Sequence, residues 1–288
     1  MGSTWMLLAG ASFALMGVWV KLAAQWFSSV ELVFYRSAFG LVVVLGLLAL
    51  HRGPRGMTRV FGPHLVLHLK RGVVGFIALA TFFYSLAVLP MSMAITLNYT
   101  SPLFLTLLMP LALKESIRPA QYAAVALGFV GVVLLLRPWQ AHGDLAAGLI
   151  GLLSGLMAGI AYVHVRALGQ LQEPEWRTVF WFAAVSSAGA ALFASVRGWQ
   201  GDVLPHLDLL LVLGLTATVG QLAMTRAYRR GQTAVVAAFS YSTVIFASLL
   251  DVIIWKEDIA ATAWAGMAIT VLAGIWAAML NIRTENTV

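Results

Sequence analysis

The chain of 288 residues contains no cysteine. Disulfides, thiolate nucleophiles and cysteine metal sites are therefore excluded. Charge is also scarce, with Asp, Glu, Lys and Arg making up only 10% of the residues. The eleven acidic residues, from Glu31 to Glu285, fall in connections or at the ends of apolar stretches. Asp251 lies deepest, about one turn from Lys256. There is no GxSxG, no HExxH, no phosphate-binding glycine loop and no pair of carboxylates on one helix face. These absences argue against an enzyme, and no metal or cofactor is expected.

What the chain has in excess is apolar surface: 61% hydrophobic residues and a mean hydropathy of +0.89. A water-soluble domain of this composition would aggregate, so the chain reads as an all-α integral membrane protein. Ten apolar stretches approach the ~20 residues that a helix needs to cross the hydrocarbon. They run over 4–24, 30–50, 65–88, 91–112, 118–137, 145–166, 176–196, 207–228, 232–254 and 259–281. Unbroken runs such as Val42 to Leu50 do not alternate as the strands of a membrane barrel would. The first stretch lacks a basic leader and runs into a second, so it is expected to stay as a membrane helix and not to be cleaved.

The net charge of +7 does not mark a nucleic-acid partner, because the basic residues are not gathered on a soluble face. They report topology. With a cytoplasmic amino terminus, that side holds Arg52, Arg55, Arg59, Lys70, Arg71, Lys114, Arg118, Arg166, Arg177, Arg226, Arg229, Arg230 and Arg283. The other side holds Lys21, Arg137, Arg197 and Lys256, and Arg36 falls inside a span. Thirteen against four satisfies the positive-inside rule and places both termini in the cytoplasm.

A shift of 142 residues carries Pro63-His64-Leu65 onto Pro205-His206-Leu207. The same shift pairs Ser12 with Ser154, Gly17 with Gly159, Glu31 with Glu173, Tyr99 with Tyr241, Phe104 with Phe246 and Lys114-Glu115 with Lys256-Glu257. Two homologous halves follow, 1–141 and 142–288. Five helices per half is an odd number, so the second copy is expected upside down relative to the first, as two inverted five-helix repeats. The two histidines are read as residues at the membrane interface, too near helix ends to meet a solute at the midplane.

Mid-span polarity concentrates in "TLNYTSP", Thr96 to Pro102, and in its repeat counterpart "FSYSTV", Phe239 to Val244. Pro102 cannot donate to the carbonyl of Asn98, which predicts a kink and a freed acceptor in the fourth span. Partly unwound helices meeting at the midplane are where repeat transporters hold their solutes. Asn98, Tyr99, Tyr241 and Ser242 are therefore candidate substrate-binding residues, with Tyr84 and Trp19 as aromatic walls. His164, Gln221 and Arg226 are placed to line a cytoplasmic vestibule. Lys21 and Arg36 are buried charges, each costing roughly 2.5–3.5 kcal/mol at a helix centre, and Glu31 is the partner nearest to both in sequence. Gly151, Gly155 and Gly159 form a smooth ridge that allows close helix approach.

Gly17, Lys21, Arg36 and Gly40 in "MGVWVKLAAQWFSSVELVFYRSAFG", then "YSLAVLPMSMAITLNYTSPLF" and "LKESIRPAQYAAVALGFVGVVLLL", resemble the EamA-type repeat of the drug/metabolite transporter superfamily. The second half is similar through "AYRRGQTAVVAAFSYSTVIF" and "WKEDIAATAWAGM", departing at Val244 for proline and Val163 for lysine. The resemblance implies a ten-helix inner-membrane transporter in which helices 1 to 4 and 6 to 9 of the family's repeat surround the pathway. Among relatives it is most like aromatic amino acid exporters. The expected function is export of a small metabolite, such as an amino acid, by alternating access and without ion coupling, as a monomer or homodimer in the lipid bilayer. Alternatives are a drug or nucleotide-sugar transporter of the same superfamily, or a small-solute channel. The topology is directly testable because no native cysteine interferes. A cysteine introduced at Gly56 should stay unlabelled by an impermeant thiol reagent in intact cells, and labelling there overturns the orientation.

Overall fold

The computed structural model describes residues 4–52, 60–113, 119–136, 144–230 and 239–285. The loop around Arg55 and Gly56, the Lys114-Glu115 pair and the start of the ninth expected span, 231–238, lie outside these. Helices account for nearly all the described residues, because an apolar chain in hydrocarbon has to satisfy each amide within its own segment. They are α1 Trp5–Ala23, α2 Ser29–Arg52, α3 Leu65–Val88, α4 Met91–Asn98, α5 Ser101–Leu113 and α6 Pro119–Leu136. The second half supplies α7 Leu145–Gln170, α8 Glu175–Arg197, α9 Leu207–Arg230, α10 Ser242–Leu250 and α11 Ala261–Glu285. No strand occurs among the described residues. Among the described residues, eight segments are long and apolar enough to cross a membrane, the α4–α5 pair counting as one, and shorter apolar helices run over Ser242–Trp255 and Ala261–Ala277.

The halves interleave. The closest helix pairs are α6 with α11, α3 with α7, α1 with α9 and α2 with α8, and every one joins the first half to the second. Packing within a half is minor by comparison. The two halves of the chain therefore share one core, which runs through Val20, Phe83, Leu97, Leu213 and Tyr241. Large apolar side chains such as Leu50, Leu111, Val196 and Leu204 stay exposed, as the outer surface of a lipid-embedded bundle requires.

Small residues set the helix spacing. A Cβ on Gly155 would fall 2.6 Å from the carbonyl oxygen of Leu97, and one on Gly159 3.1 Å from that of Ser101. The ridge on α7 thus packs directly on the junction between α4 and α5. Gly131 and Gly266 bring α6 and α11 to backbone contact in the same way, each Cβ position lying 2.7–2.8 Å from the other glycine's carbonyl oxygen.

Buried carboxylates tie helix ends across the repeat. Glu31 is fully buried and accepts from Ser28 N and Ser28 Oγ, both at 2.7 Å, and from Gln200 N at 2.8 Å. It therefore anchors the α8–α9 connection. The sequence expectation that it pairs with Lys21 or Arg36 is corrected: Lys21 Nζ lies 3.8 Å from Glu257 and 4.7 Å from the Trp255 ring. Glu173, the repeat counterpart of Glu31, binds Arg177 and His68, the latter at 3.3 Å. Burial opposes its charge, but these two hydrogen bonds prevail and hold it below the usual carboxylate range. His206 stacks on Trp26 with ring centroids 4.2 Å apart, in keeping with a place at the interface.

Asp251 caps a helix of the other half of the chain. Pro90 precedes α4 and offers no side-chain cap, so the first amides of that helix need another acceptor. Asp251 Oδ1 accepts from Met91 N at 3.0 Å and Oδ2 from Ser92 N at 2.6 Å, from the opposite half of the chain. The carboxylate also opposes the positive end of the helix dipole. Replacing Asp251 by alanine leaves both amides buried and unpaired, at about 1–3 kcal/mol each. Thermal unfolding of the purified protein should show a large loss for Asp251→Ala and a smaller one for Asp251→Asn, which keeps one acceptor oxygen. A Tm unchanged in both variants would rule out this cap.

Candidate functional site

The fourth span does break, one turn ahead of the proline. α4 ends at Asn98, Thr100 N bonds back to Leu97 O at 3.2 Å, and α5 restarts at Ser101. Pro102 thereby falls in the first turn of α5, where an amide donor has no intrahelical partner to lose. Thr100 Oγ1 donates to the same Leu97 carbonyl at 2.6 Å, satisfying what the break exposes. The second half has Val244 at the matching position, and α10 begins beside it at Ser242.

Four of the sequence candidates meet at or beside this break. Tyr99 and Tyr241 lie with ring centroids 5.9 Å apart, and Tyr241 Oη donates to the Tyr99 carbonyl at 3.3 Å. Tyr99 Oη pairs with Thr243 Oγ1 at 2.9 Å. Asn98 Nδ2 donates to Ser154 Oγ at 3.1 Å, linking the break to α7. Ser242 Oγ is buried without a hydrogen-bond partner and faces Gly10 of α1. Tyr241 is only 2% exposed, and its hydroxyl fills the space that a Cβ on Gly274 would need. The cluster is neutral, rich in hydroxyls and closed over by its own hydrogen bonds.

The remaining candidates make other contacts. Trp19 packs against the main core from α1. Tyr84 is 40% exposed on the same stripe of α3 as Val66, Val73, Ile77 and Val88, so it faces outward with them. His164 Nδ1 contacts the Ile160 carbonyl of its own helix at 3.0 Å. Arg226 lies over the Trp5 ring at 5.1 Å. Arg36 and Gln221 line a small cavity of about 50 Å³ between α2, α8 and α9, together with Ser37, Thr218 and Phe182. A larger cavity of about 510 Å³ opens at the end of the bundle where α3, α6 and α11 meet, with Asp144, Glu257 and Asp258 on its wall. Sequence reasoning did not anticipate Thr243, Ser154 or Arg71 as members of buried polar clusters. For Ser154 the signal was available, since it pairs with Ser12 in the repeat. No group of three or more potential metal ligands occurs among the described residues.

A family model described as the EamA-like transporter family matches residues 1–137 and 145–279. The chain belongs to that family and is a multi-pass membrane transporter. It is similar to a pseudopaline exporter of Pseudomonas aeruginosa, 30% identical over 273 residues and covering 93% of each chain. It is similar as well to a riboflavin transporter of Rhizobium johnstonii, 29% identical over 99% of this chain and 93% of that one. An S-adenosylmethionine uptake transporter of Rickettsia bellii is 21% identical over 89% of this chain and 86% of its own. One solved crystal structure superposes with a TM-score of 0.63 at 20% identity, covering 98% of this chain and 97% of its own, a likeness of fold. The aromatic amino acid exporters suggested by the sequence are not among these relatives.

The burial of Tyr241 changes how the site should be probed. Truncation to alanine would leave a cavity costing about 3–5 kcal/mol and would confuse folding with function. Tyr99→Phe and Tyr241→Phe keep both rings and remove one hydrogen bond each, at about 1 kcal/mol. Both variants should fold normally and carry out counterflow of the transported solute at least several-fold more slowly. Normal counterflow in both would put the site elsewhere.

Proposed function

We propose that this chain is a secondary transporter of the inner membrane, with both termini cytoplasmic, that exports small metabolites, aromatic amino acids foremost, by alternating access between two inverted five-helix halves. The observation that carries the reading is the Tyr99–Tyr241 contact at the broken span. Residues related by an internal two-fold axis can touch each other only beside that axis. A second pair of mates, Gly128 and Thr270, also meets, with Thr270 Oγ1 3.4 Å from the Gly128 carbonyl. The helix pairs obey the same relation: α1 on α9 is the counterpart of α7 on α3. A polar, aromatic centre on the axis between two rocking halves is where alternating access needs its solute.

The relatives named for pseudopaline, riboflavin and S-adenosylmethionine include one exporter and one uptake transporter. A polar solute with an aromatic ring fits the Tyr99, Tyr241 and Asn98 cluster, which offers ring faces and hydroxyl or amide groups together. Uncoupled transport is supported by the employment of the buried acids. Asp251 holds α4, Glu31 holds the α8–α9 connection, and Glu173 holds His68 and Arg177. A carboxylate committed to helix amides in the resting fold is poorly suited to releasing and taking up a proton in each cycle.

Proteoliposomes test the reading. Phenylalanine counterflow should saturate, which separates a carrier from a channel. An imposed pH gradient at fixed membrane potential, with equal substrate on both sides, should drive no net accumulation. Accumulation abolished by a protonophore would establish proton coupling and overturn the uniport.

A further inference from the structure

Two arginines inside the bundle have no acidic partner among the described residues. Arg36 on α2 and Arg71 on α3 approach the Phe182 ring of α8, with Cζ 5.6 Å and 4.2 Å from its centroid. Their charges repel one another. The Nε of Arg36 and both Nε and Nη1 of Arg71 are buried without a hydrogen bond, and neither side chain forms an ion pair among the described residues. Ser37 Oγ and Thr218 Oγ1, beside Arg36, are likewise unpartnered.

The direction of Arg71 is the decisive feature. Helical side chains lean toward the helix amino terminus, which for Arg71 is the nearby end at Leu65. An arginine so close to that end ordinarily extends to the interface and keeps its charge hydrated. Here the guanidinium runs the other way, into the space left open by the missing side chain of Gly75, and stacks on Phe182. The fold thus holds a second cation beside Arg36, and three nitrogens of the two guanidinium groups are buried without a hydrogen-bond partner. That arrangement is complementary to an oxyanion, and guanidinium forks match the two oxygens of a carboxylate.

We propose that Arg36 and Arg71, stacked on Phe182, form an oxyanion site that receives the carboxylate of the transported solute. The proposal rests on the reading of the chain as a transporter. The cavity of about 50 Å³ is lined by Arg36 and Phe182, with Arg71 reaching it through its contact with that ring, and it has room for an anionic group and not for a whole solute. Arg71 and Phe182 thereby join Arg36 as solute-binding residues. Gly75 is a positioning residue, since a Cβ there would occupy the place of Arg71 Nη1 and press on the Phe182 ring at 2.8 Å.

The test uses the full-length protein purified in detergent, with thermal unfolding followed during titration at constant ionic strength. Benzoate should raise the Tm saturably, and its uncharged isostere benzamide should not. Arg36→Gln and Arg71→Gln should each weaken the apparent benzoate affinity at least tenfold, and Arg197→Gln, at the exposed end of α8, should leave it unchanged. Gly75→Ala keeps both charges and displaces one, so it should also weaken benzoate severalfold. Without ligand, the two glutamine variants should unfold at or above the wild-type temperature, because each removes an uncompensated buried cation. A lower Tm would show that the arginines hold the fold together, and overturn the proposal. Equal shifts with benzamide, a benzoate shift retained in both glutamine variants, or a larger shift with inorganic phosphate than with benzoate would overturn it too. Wild-type phenylalanine counterflow separates the two readings. Counterflow without any benzoate effect sinks the oxyanion site alone, whereas absence of phenylalanine counterflow in the wild type sinks the aromatic amino acid reading.

Discussion

A helix interrupted in the middle of a membrane has to find partners for the amides and carbonyls it releases, since the hydrocarbon supplies none. The junction at Tyr99–Thr100 is such an interruption, and much of this structure is arranged to make it tolerable. Thr100 bonds back to Leu97, Tyr241 donates to the carbonyl of Tyr99, and Pro102 sits where its missing donor is not needed. Asp251 caps the short helix that leads into the break, so that α4 is held at its start by the opposite half and at its end by Tyr241 of that half. The glycine ridge of α7 lies against the junction because a larger residue would strike the carbonyls there.

The interleaving of the halves follows from the same constraint. The first half of the chain on its own would leave the broken span without the partners that the second half supplies, with carbonyls unsatisfied. Pairing α3 with α7 and α1 with α9 joins the two halves. Lipid tails are as apolar as leucine, so this association rests on close packing and hydrogen bonds more than on the hydrophobic effect. Contacts of that kind are numerous and individually weak, and a rearrangement that exchanges one set for its repeat-related set can leave the total nearly unchanged.

Much of this was legible in the sequence, for identifiable reasons. The 142-residue shift paired Tyr99 with Tyr241, and the structure brings those two residues into contact. Pro102 announced the break, although the interruption falls one turn earlier because proline is best housed in the first turn of a new helix. Spacing along one helix said little about partners from elsewhere. Glu31 is near Lys21 and Arg36 in the chain, yet it serves the amides of Gln200 and Gly201, and Lys21 meets Glu257. Tyr84 was placed beside the polar patch on sequence proximity alone, while its helical phase sets it with Val73 and Ile77 on the outward stripe. An aromatic residue suits lipid and cavity equally well, so composition could not choose between them.

Arg71 shows the same limit from the other side. In the sequence it is one more basic residue on the positive side, adding to the topology count and drawing no further notice. Its significance depends on Gly75, four positions along the helix, and on Phe182 from α8, and neither relation is visible without the fold. The acids and bases of this protein are employed very differently as a result. Glu31, Glu173 and Asp251 are buried with their oxygens satisfied by amides or cations, which makes them fixtures of the scaffold. Arg36 and Arg71 are buried with donors to spare, a costly condition in a medium of low dielectric that a purely structural role would not require. Charges that are already balanced hold a membrane fold in place, and charges that are not balanced mark where something else has to arrive.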